Sequence, residues 1–247
     1  MTGIAEQQAN NATRTTGARS PKTLWDWLQL LLVPVILLAG ILWLGIQQQQ
    51  DNQQLVQQQR ATTTSIAAQQ QQDALVANYQ NQITDMMLHD NLLKAQAISP
   101  VSQVAQVRTL SVFRQASPAS KALLLRFLYD TNLINNDFHI ISMRGVDVTN
   151  AHLQNLDLRD TYLSGVSLHG SDMQNINLSF ATLLFADLSG TNLHGADLHG
   201  TDMHNIDLTG ADLSDANLKD TVGLTNDQLA KAKSLAGAIM PDGSTHP

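Results

Sequence analysis

A five-residue repeat is the feature of the sequence that most constrains the fold. From residue 143 onward, a large aliphatic residue or Met returns at every fifth position through sixteen units without an insertion. A helix would return such a residue every three or four positions and a strand every two, so neither element explains the period. The repeat therefore indicates an architecture of stacked units. The sixteen centres are Met143, Val148, Leu153, Leu158, Leu163, Leu168, Met173, Leu178, Leu183, Leu188, Leu193, Leu198, Met203, Leu208, Leu213 and Leu218.

The residues around each centre indicate which side chains this architecture buries. The position two before the centre is small or aliphatic, as at Ala151, Thr161 and Ala196, and the position one before it is usually Asp or Asn. If five residues form one side of a square coil, the centre and the small residue point inward and the other three face water. Four sides make one coil, so residues 141–220 predict four coils, stacked at about 4.8 Å as paired strands are.

This pattern of Ala-Asp-Leu-x-x units resembles the pentapeptide repeat family. The resemblance implies an all-β repeat fold, a right-handed quadrilateral β-helix of four coils and sixteen pentapeptides. Three further segments are similar to the anchor and pre-repeat helices of a bacterial group of membrane-anchored pentapeptide repeat proteins of uncharacterised function. They read TLWDWLQLLLVPVILLAG, RTLSVFRQ and KALLLRFLYDTNLI. We therefore expect a transmembrane helix and a helical neck before the β-helix, and a C-terminal capping helix after it.

Residues 28–46 form an apolar run in which Gln29 is the only strongly polar side chain. At about 1.5 Å per residue, a helix of this run spans roughly 28 Å, close to the hydrocarbon thickness of a bilayer. The alternatives are a buried core helix and a cleavable signal peptide, whose apolar core is typically shorter and is followed by a small-residue cleavage site. Because this run passes directly into a Gln tract, we interpret it as an uncleaved single-pass membrane anchor.

The charges on either side of the anchor predict its orientation. Arg14, Arg19 and Lys22 precede the anchor, whereas only Arg60 follows it within about 20 residues. The positive-inside rule then predicts that residues 1–27 form an N-terminal cytoplasmic tail. The repeat domain would lie outside the cytoplasm, tethered to a bacterial cell membrane.

Residues 47–98 are predicted to form a Gln-rich linker followed by an amphipathic helix. Gln is a fair helix former and Thr a poor one, so the Gln tract predicts either a helix with a weak centre or a disordered tether. The amphipathic part packs on its own chain or pairs with a second copy, which leaves a homodimer open. Its apolar positions repeat at helical spacing and are Val76, Tyr79, Ile83 and Met86.

Two Ser-Pro pairs in residues 99–140 predict a helical neck that covers the first coil. In each pair, the Ser can cap the exposed amides of a first helical turn and the Pro is preorganised for that turn. Residues 221–247 are predicted to form the cap at the other end. There, Thr225 and Gln228 make a capping-box pair, and a covering helix would shield the apolar last coil.

The composition excludes several classes of function. The chain of 247 residues carries a formal charge of −7, has no Cys and is only 4% aromatic. An acidic chain is unsuited to binding nucleic acid directly through phosphate neutralisation, and a chain without Cys has no thiol nucleophile or Cys-ligated metal. The narrow apolar interior predicts no catalytic residues and no cofactor site. A metal site is not expected either, since His194, His199 and His204 would point from successive sides of the coil.

The candidate site is an apolar protein-contact patch formed by Phe180, Leu184 and Phe185. These residues occupy outward positions near the boundary between the second and third coils, where other repeats place Ser, Gly, Asn or His. The patch either binds an unidentified protein partner or lies under the neck or a loop.

Two functions are consistent with these features. The favoured one is a membrane-tethered, non-enzymatic scaffold or protein-interaction module. The alternative follows from the resemblance, because related pentapeptide repeat proteins bind the topoisomerase DNA gyrase with acidic, DNA-mimicking rods. Residues 141–220 contain 11 Asp, no Glu and 3 Lys or Arg, a net charge of −8. Gyrase is cytoplasmic, whereas the repeat domain is predicted to lie outside, so the scaffold is preferred.

Overall fold

The computed structural model describes residues 24–95 and 99–247, and these residues divide into two units on either side of the Ser65–Ile66 bond. The predicted N-terminal tail lies outside the described residues as far as residue 23. A 3₁₀ turn at Leu92–Lys94 separates the first two helices. The helices are α1 (Leu24–His89), α2 (Pro100–Gln115), α3 (Pro118–Asp130) and α4 (Asn226–Leu229).

In the first unit, helix α1 contains the whole apolar segment 28–46. Within the described part of the chain it is the one helix long and apolar enough to cross a membrane, and none of its most apolar window is buried. A signal sequence near an N-terminus has the same properties. The Gln tract after it is also helical, so the first of its two predicted states is the one observed. The hydroxyls of Thr62, Thr63 and Thr64 donate to carbonyl oxygens four residues earlier at 2.8–2.9 Å, which accommodates these poor helix formers.

In the second unit, the end of α1 packs against α2 and α3 of its own chain. All four apolar residues predicted for this helix face are buried. Tyr79 lies at the centre of the contact, where its hydroxyl is 2.7 Å from the Thr109 hydroxyl and its ring meets Phe127 edge-on. Burial raises the pKa of Tyr79, and the hydrogen bond with Thr109 opposes that shift only in part. Of the two predicted alternatives for this helix face, the structure therefore has packing within the chain.

Helix α3 covers the start of the coil. Its Ser117 cap accepts a hydrogen bond from the Ser120 amide at 3.2 Å, as the Ser-Pro pair predicts. The buried Lys121 donates from Nζ to Asp147 Oδ1 at 3.1 Å and to the Thr149 carbonyl oxygen at 3.0 Å. Burial alone would raise the pKa of Asp147, but hydrogen bonds from Thr149 and Lys121 outweigh it and hold this pKa below its ordinary value. The neck and the first coil thus share an ionic contact between a buried Lys121 and a partly exposed Asp147.

Parallel backbone bridges join residues twenty positions apart, so four five-residue sides make one coil. One ladder connects Asp157, Asn177, Asp197 and Asn217. The described residues contain isolated bridges and no extended strand, because each side turns before a second consecutive residue can pair. The predicted all-β coil is therefore held together by backbone bridges of single residues, where a β-sheet would have continuous strands.

The coil interior contains the side chains that the repeat predicts. All sixteen centres are buried, and so are the residues two before them, apart from the partly buried Leu156. Backbone amides donate to the next coil, as from Leu153 to the Asp172 carbonyl oxygen at 2.7 Å. The prediction of which side chains point inward is confirmed.

The predicted C-terminal capping helix is wrong in extent. Helix α4 has only four residues, although its capping box of Thr225 and Gln228 is present. Beyond it the chain continues the coil, since Ser234 pairs with Asp212 and Ile239 pairs with Asn217. These pairs are 22 positions apart because the turn at α4 adds two residues to the coil. Continued stacking satisfies the backbone groups of the last coil, which a helix laid across the end would leave unpaired.

Candidate protein-contact surface

The three residues of the predicted patch lie on the outside of the coil. Phe180 is 51% exposed and Phe185 is 67% exposed, while Leu184 is half-buried. Only five Phe occur in the chain, and a third exposed one, Phe138, lies in the loop before the first coil. Phe113 and Phe127 pack among the helices instead. Exposed Phe side chains are therefore concentrated at this part of the second unit.

Both Phe180 and Phe185 adopt a backbone conformation that bulky residues avoid. Every fifth residue from 145 to 220 has a positive φ, and fourteen of these sixteen residues are Gly, Asn or Asp. The other two are Phe180, with φ of 60°, and Phe185, with φ of 57°. A left-handed conformation costs a bulky residue about 1–3 kcal/mol, and such strain is concentrated at functional sites. The sequence contained this signal, because Phe stands where the other units have Gly, Asn or Asp. The prediction interpreted these Phe residues only as exposed side chains and did not consider their backbone conformation.

Phe180 is partly held by its surroundings. Its ring lies over Gly200, where an added Cβ would come within 2.7 Å of two ring atoms, and meets His199 edge-on at 5.0 Å. Its carbonyl oxygen accepts a hydrogen bond from Asn136 Nδ2 at 2.6 Å. The loop before the first coil therefore contacts the backbone at Phe180, while half of its side chain stays exposed.

Leu184 and Phe185 line a groove, termed here the Phe185 groove. The stacked rings of His139 and Tyr162, 3.9 Å apart and nearly parallel, also line it. The remaining lining residues are Ser142, Arg144, Ser164 and Gly165. The contribution of Tyr162 was overlooked, although this residue occupies an outward position of the repeat. That of His139 was not predicted, because the path of the preceding loop across the coil has no counterpart in the repeat pattern.

The side of the coil that carries this groove is nearly free of carboxylates. We call it the Arg144 face, and it comprises residues 141–145, 161–165, 181–185 and 201–205. Of the 11 Asp in residues 141–220, only Asp202 lies on it, 2.6 Å from His204 Nδ1. The other ten lie on the remaining three sides.

All eleven Asp residues have a local structural role. Eight accept a hydrogen bond from the backbone amide two residues later, as Asp207 does from Thr209 at 2.9 Å. The other three, Asp160, Asp215 and Asp220, occupy left-handed positions that Asp tolerates. Hydrogen bonds from Thr209 lower the pKa of Asp207. The turns of the coil therefore accommodate every Asp, and Asn177, Asn192 and Asn217 accept the same hydrogen bond without a charge.

The three surface histidines named above lie beside carboxylates and apart from one another. His194 Nδ1 is 3.7 Å from Asp215, and His199 Nδ1 is 3.7 Å from Asp220. Among residues 24–95 and 99–247, no three His, Cys, Asp or Glu side chains are grouped so that they could hold a metal ion.

Comparison with known proteins agrees with this architecture. Residues 141–179 and 186–222 match the family of Pentapeptide repeats, in eight copies. No curated protein is significantly similar to the chain.

Three solved structures illustrate the similarity. HetL, a pentapeptide repeat protein involved in heterocyst differentiation regulation from the cyanobacterium Nostoc sp. strain PCC 7120, is 33% identical over 43% of this chain and 56% of its own, with a TM-score of 0.29. A pentapeptide repeat protein from the thylakoid lumen of Arabidopsis thaliana is 24% identical over 40% and 61%, with a TM-score of 0.27. QnrB1, a plasmid-mediated fluoroquinolone resistance protein, is 15% identical over 40% and 62%, with a TM-score of 0.23. The chain thus spans less than two thirds of each of these proteins.

Proposed function

Residues 141–179 and 186–222 belong to the pentapeptide repeat family, and from that premise we propose that the chain is a membrane-tethered, non-enzymatic module that binds a protein partner. The binding surface is the Phe185 groove together with the exposed Phe180 on the preceding side of the coil. The observation that carries this proposal is an exposed Phe in a left-handed conformation at residue 185. Phe185 lowers the stability of the chain and buries little of its own surface there, so we attribute its presence to contacts that it makes in a complex.

Two further properties of the coil support an interaction role. Its interior is filled by the repeat centres and the small residues beside them, which leaves no room for a substrate. Large aromatic side chains contribute much of the energy of protein interfaces, and two of them lie exposed on successive sides of this coil.

The tether is the apolar part of α1. Its most apolar window has a mean hydropathy of 2.4 and no buried residue, so in water it would expose a large apolar surface. A bilayer removes that cost. The cations before it favour an orientation with the N-terminal tail in the cytoplasm and the repeats outside.

We expect a Cys at residue 219 to be labelled from outside the cell. Lys219 is exposed and the chain has no native Cys, so Lys219→Cys reports a single position. Labelling by a membrane-impermeant maleimide should be equal in intact and lysed cells. Protection until lysis would contradict the external orientation and favour the cytoplasmic, gyrase-binding alternative.

The matched control reverses the charges that set the orientation. Arg14, Arg19 and Lys22 are changed to Ser, and Lys replaces the Gln residues at positions 48–50. Each cation near the cytoplasmic leaflet contributes on the order of 1 kcal/mol, so this variant should shift residue 219 towards protection.

The gyrase-binding alternative gains no specific support from the acidic residues. All eleven Asp residues serve the turns of the coil, as described above, so their number needs no DNA-mimicking role. The side of the coil with the half-buried Leu184 and the exposed Phe185 is also the side with the fewest carboxylates. Both facts favour a partner that is recognised through apolar contacts.

We expect Phe185→Asn to stabilise the repeat domain while abolishing partner binding. Asn tolerates the left-handed conformation, so the gain is about 1 kcal/mol, or roughly 2–4 °C in Tm. Circular dichroism melts of the full chain in detergent measure the first effect. Photo-crosslinking in cells, followed by recovery of the crosslinked partner, measures the second.

Asn205→Gly is the control, since residue 205 lies in the same column, has the same φ sign and carries no aromatic ring. It should crosslink like the parent. A lower Tm for Phe185→Asn than for the parent would show that Phe185 contributes to folding. If this variant crosslinks the same partner with the same yield as the parent, the proposed function is wrong.

A further inference from the structure

We propose that the Phe185 groove recognises an extended segment of the partner protein in which a carboxylate lies next to a large apolar side chain. This inference rests on the proposed function, and it assigns the chemistry of the partner. It depends on three observations, which concern the charge of the face, the position of Arg144 and the walls of the groove.

Arg144 is the only Lys or Arg on the Arg144 face, and its side chain is exposed. The ion pairs found in residues 24–95 and 99–247 do not include it. By contrast, Arg159 on a neighbouring side pairs with Asp157 at 2.9 Å. The chain thus places a free cation on the one side from which carboxylates are nearly absent, although its overall charge is −7.

The Arg144 side chain lies across the groove wall. An added Cβ at Gly165 would come within 2.9 Å of Arg144 Cγ, so the stem of Arg144 rests on the glycine of the next coil. Leu184 and Phe185 belong to the coil beyond and line the same groove. An arginine guanidinium can bind a carboxylate through two parallel hydrogen bonds, and the exposed Arg144 lines the same groove as these apolar side chains.

The other walls of the groove suit an apolar side chain. The Phe185 ring and the stacked rings of His139 and Tyr162 present aromatic surfaces. An aliphatic or aromatic side chain of the partner would lie between them, with ring contacts offset or edge-on. The cation and the aromatic walls belong to one groove, so one short segment can contact both.

Two polar atoms at the groove lack a partner within the chain. Ser164 Oγ and His139 Nδ1 are enclosed and make no hydrogen bond, although both residues line the groove. Ser164 lies in the column between Arg144 and Leu184. An unpaired buried hydroxyl beside Arg144 in the same column is consistent with a polar group of a ligand at this groove.

A nucleic acid does not suit this groove. Binding to phosphates requires several cations along a path, whereas this face has one and the coil as a whole is strongly acidic. A single Arg beside aromatic walls suits a single carboxylate on an extended protein segment.

The test uses the full chain in detergent micelles as the target for a phage library of random ten-residue peptides. We expect the selected peptides to carry Asp or Glu within two positions of Phe, Trp, Leu or Met. The highest-ranking peptide is then synthesised, and its Kd is measured by fluorescence anisotropy at low and at high salt.

Arg144→Gln should weaken this peptide about tenfold at low salt and much less at high salt. Changing the acidic residue of the peptide to its amide should cause the same loss, and combining both changes should add little further, because both remove one contact. Lys219→Gln, at an exposed cation on another side of the coil, should leave the Kd unchanged.

The possible results test the carboxylate recognition and the proposed function separately. Selected peptides that lack an acidic residue, or an unchanged Kd for Arg144→Gln, would overturn this inference; if Phe185→Asn still abolished their binding, the proposed function would stand. This inference would also be overturned if the peptides bound the Phe185→Asn variant as tightly as the parent, or if the library yielded no binder. The crosslinking experiment in cells would then test the proposed function independently.

Discussion

Leu188→Asp is expected to unfold the repeat domain. Leu188 is a fully buried centre between Leu168 and Leu208, and its carbonyl oxygen accepts a hydrogen bond from Thr191 Oγ1 at 2.6 Å. An unpaired carboxylate there would cost several kcal/mol. Each coil is stabilised by its neighbours, so this loss is comparable to the whole stability of a domain of this size. Circular dichroism of the full chain in detergent should show loss of the cooperative transition.

Leu184→Asp is the matched control, because the same chemical change is made four residues earlier at an outward position. Leu184 is half-buried and lies in the column of Arg144, which would attract the new carboxylate. We expect the transition to be retained with a loss below about 1 kcal/mol. Similar melts for the two variants would contradict the assignment of inward and outward positions on which the fold depends.

Removing residues 225–247 is expected to make the protein aggregate. The segment covers the apolar last coil, where Leu213 and Leu218 donate backbone hydrogen bonds to Ser234 and Ile239 at 2.9 and 2.8 Å. Without it, these backbone groups and the buried centres beneath them become an open edge. Such an edge pairs readily with other chains. Gel filtration in detergent should show material in or near the void volume.

A shorter truncation, after residue 242, is the control. It retains α4 and the residues that continue the coil through Ile239, so the end of the coil stays covered. This variant should elute like the full chain. A longer truncation that also elutes as a single species of unchanged size would show that the end of the coil needs no cover.

Much of this protein could be predicted because its signals are local. The five-residue period of centres such as Leu188 determines which side chains point inward, since the direction of a side chain depends only on its place within one side of the coil. The same register places Arg144, Ser164 and Leu184 in one column. The helix caps at Ser99 and Ser117 are likewise set by neighbouring residues.

The tertiary structure alone decided how the C-terminal end of the coil is covered and what the groove contains. Two extra residues at α4 bring Ser234 and Ile239 into line with the last coil, and no periodicity encodes that offset. The stacking of His139 on Tyr162 depends on the path of a loop outside the repeat. These features are contacts between segments far apart in sequence, and their energies depend on shape and on backbone pairing. The sequence by itself therefore determined the repeating interior, whereas folding in three dimensions assembled the candidate site.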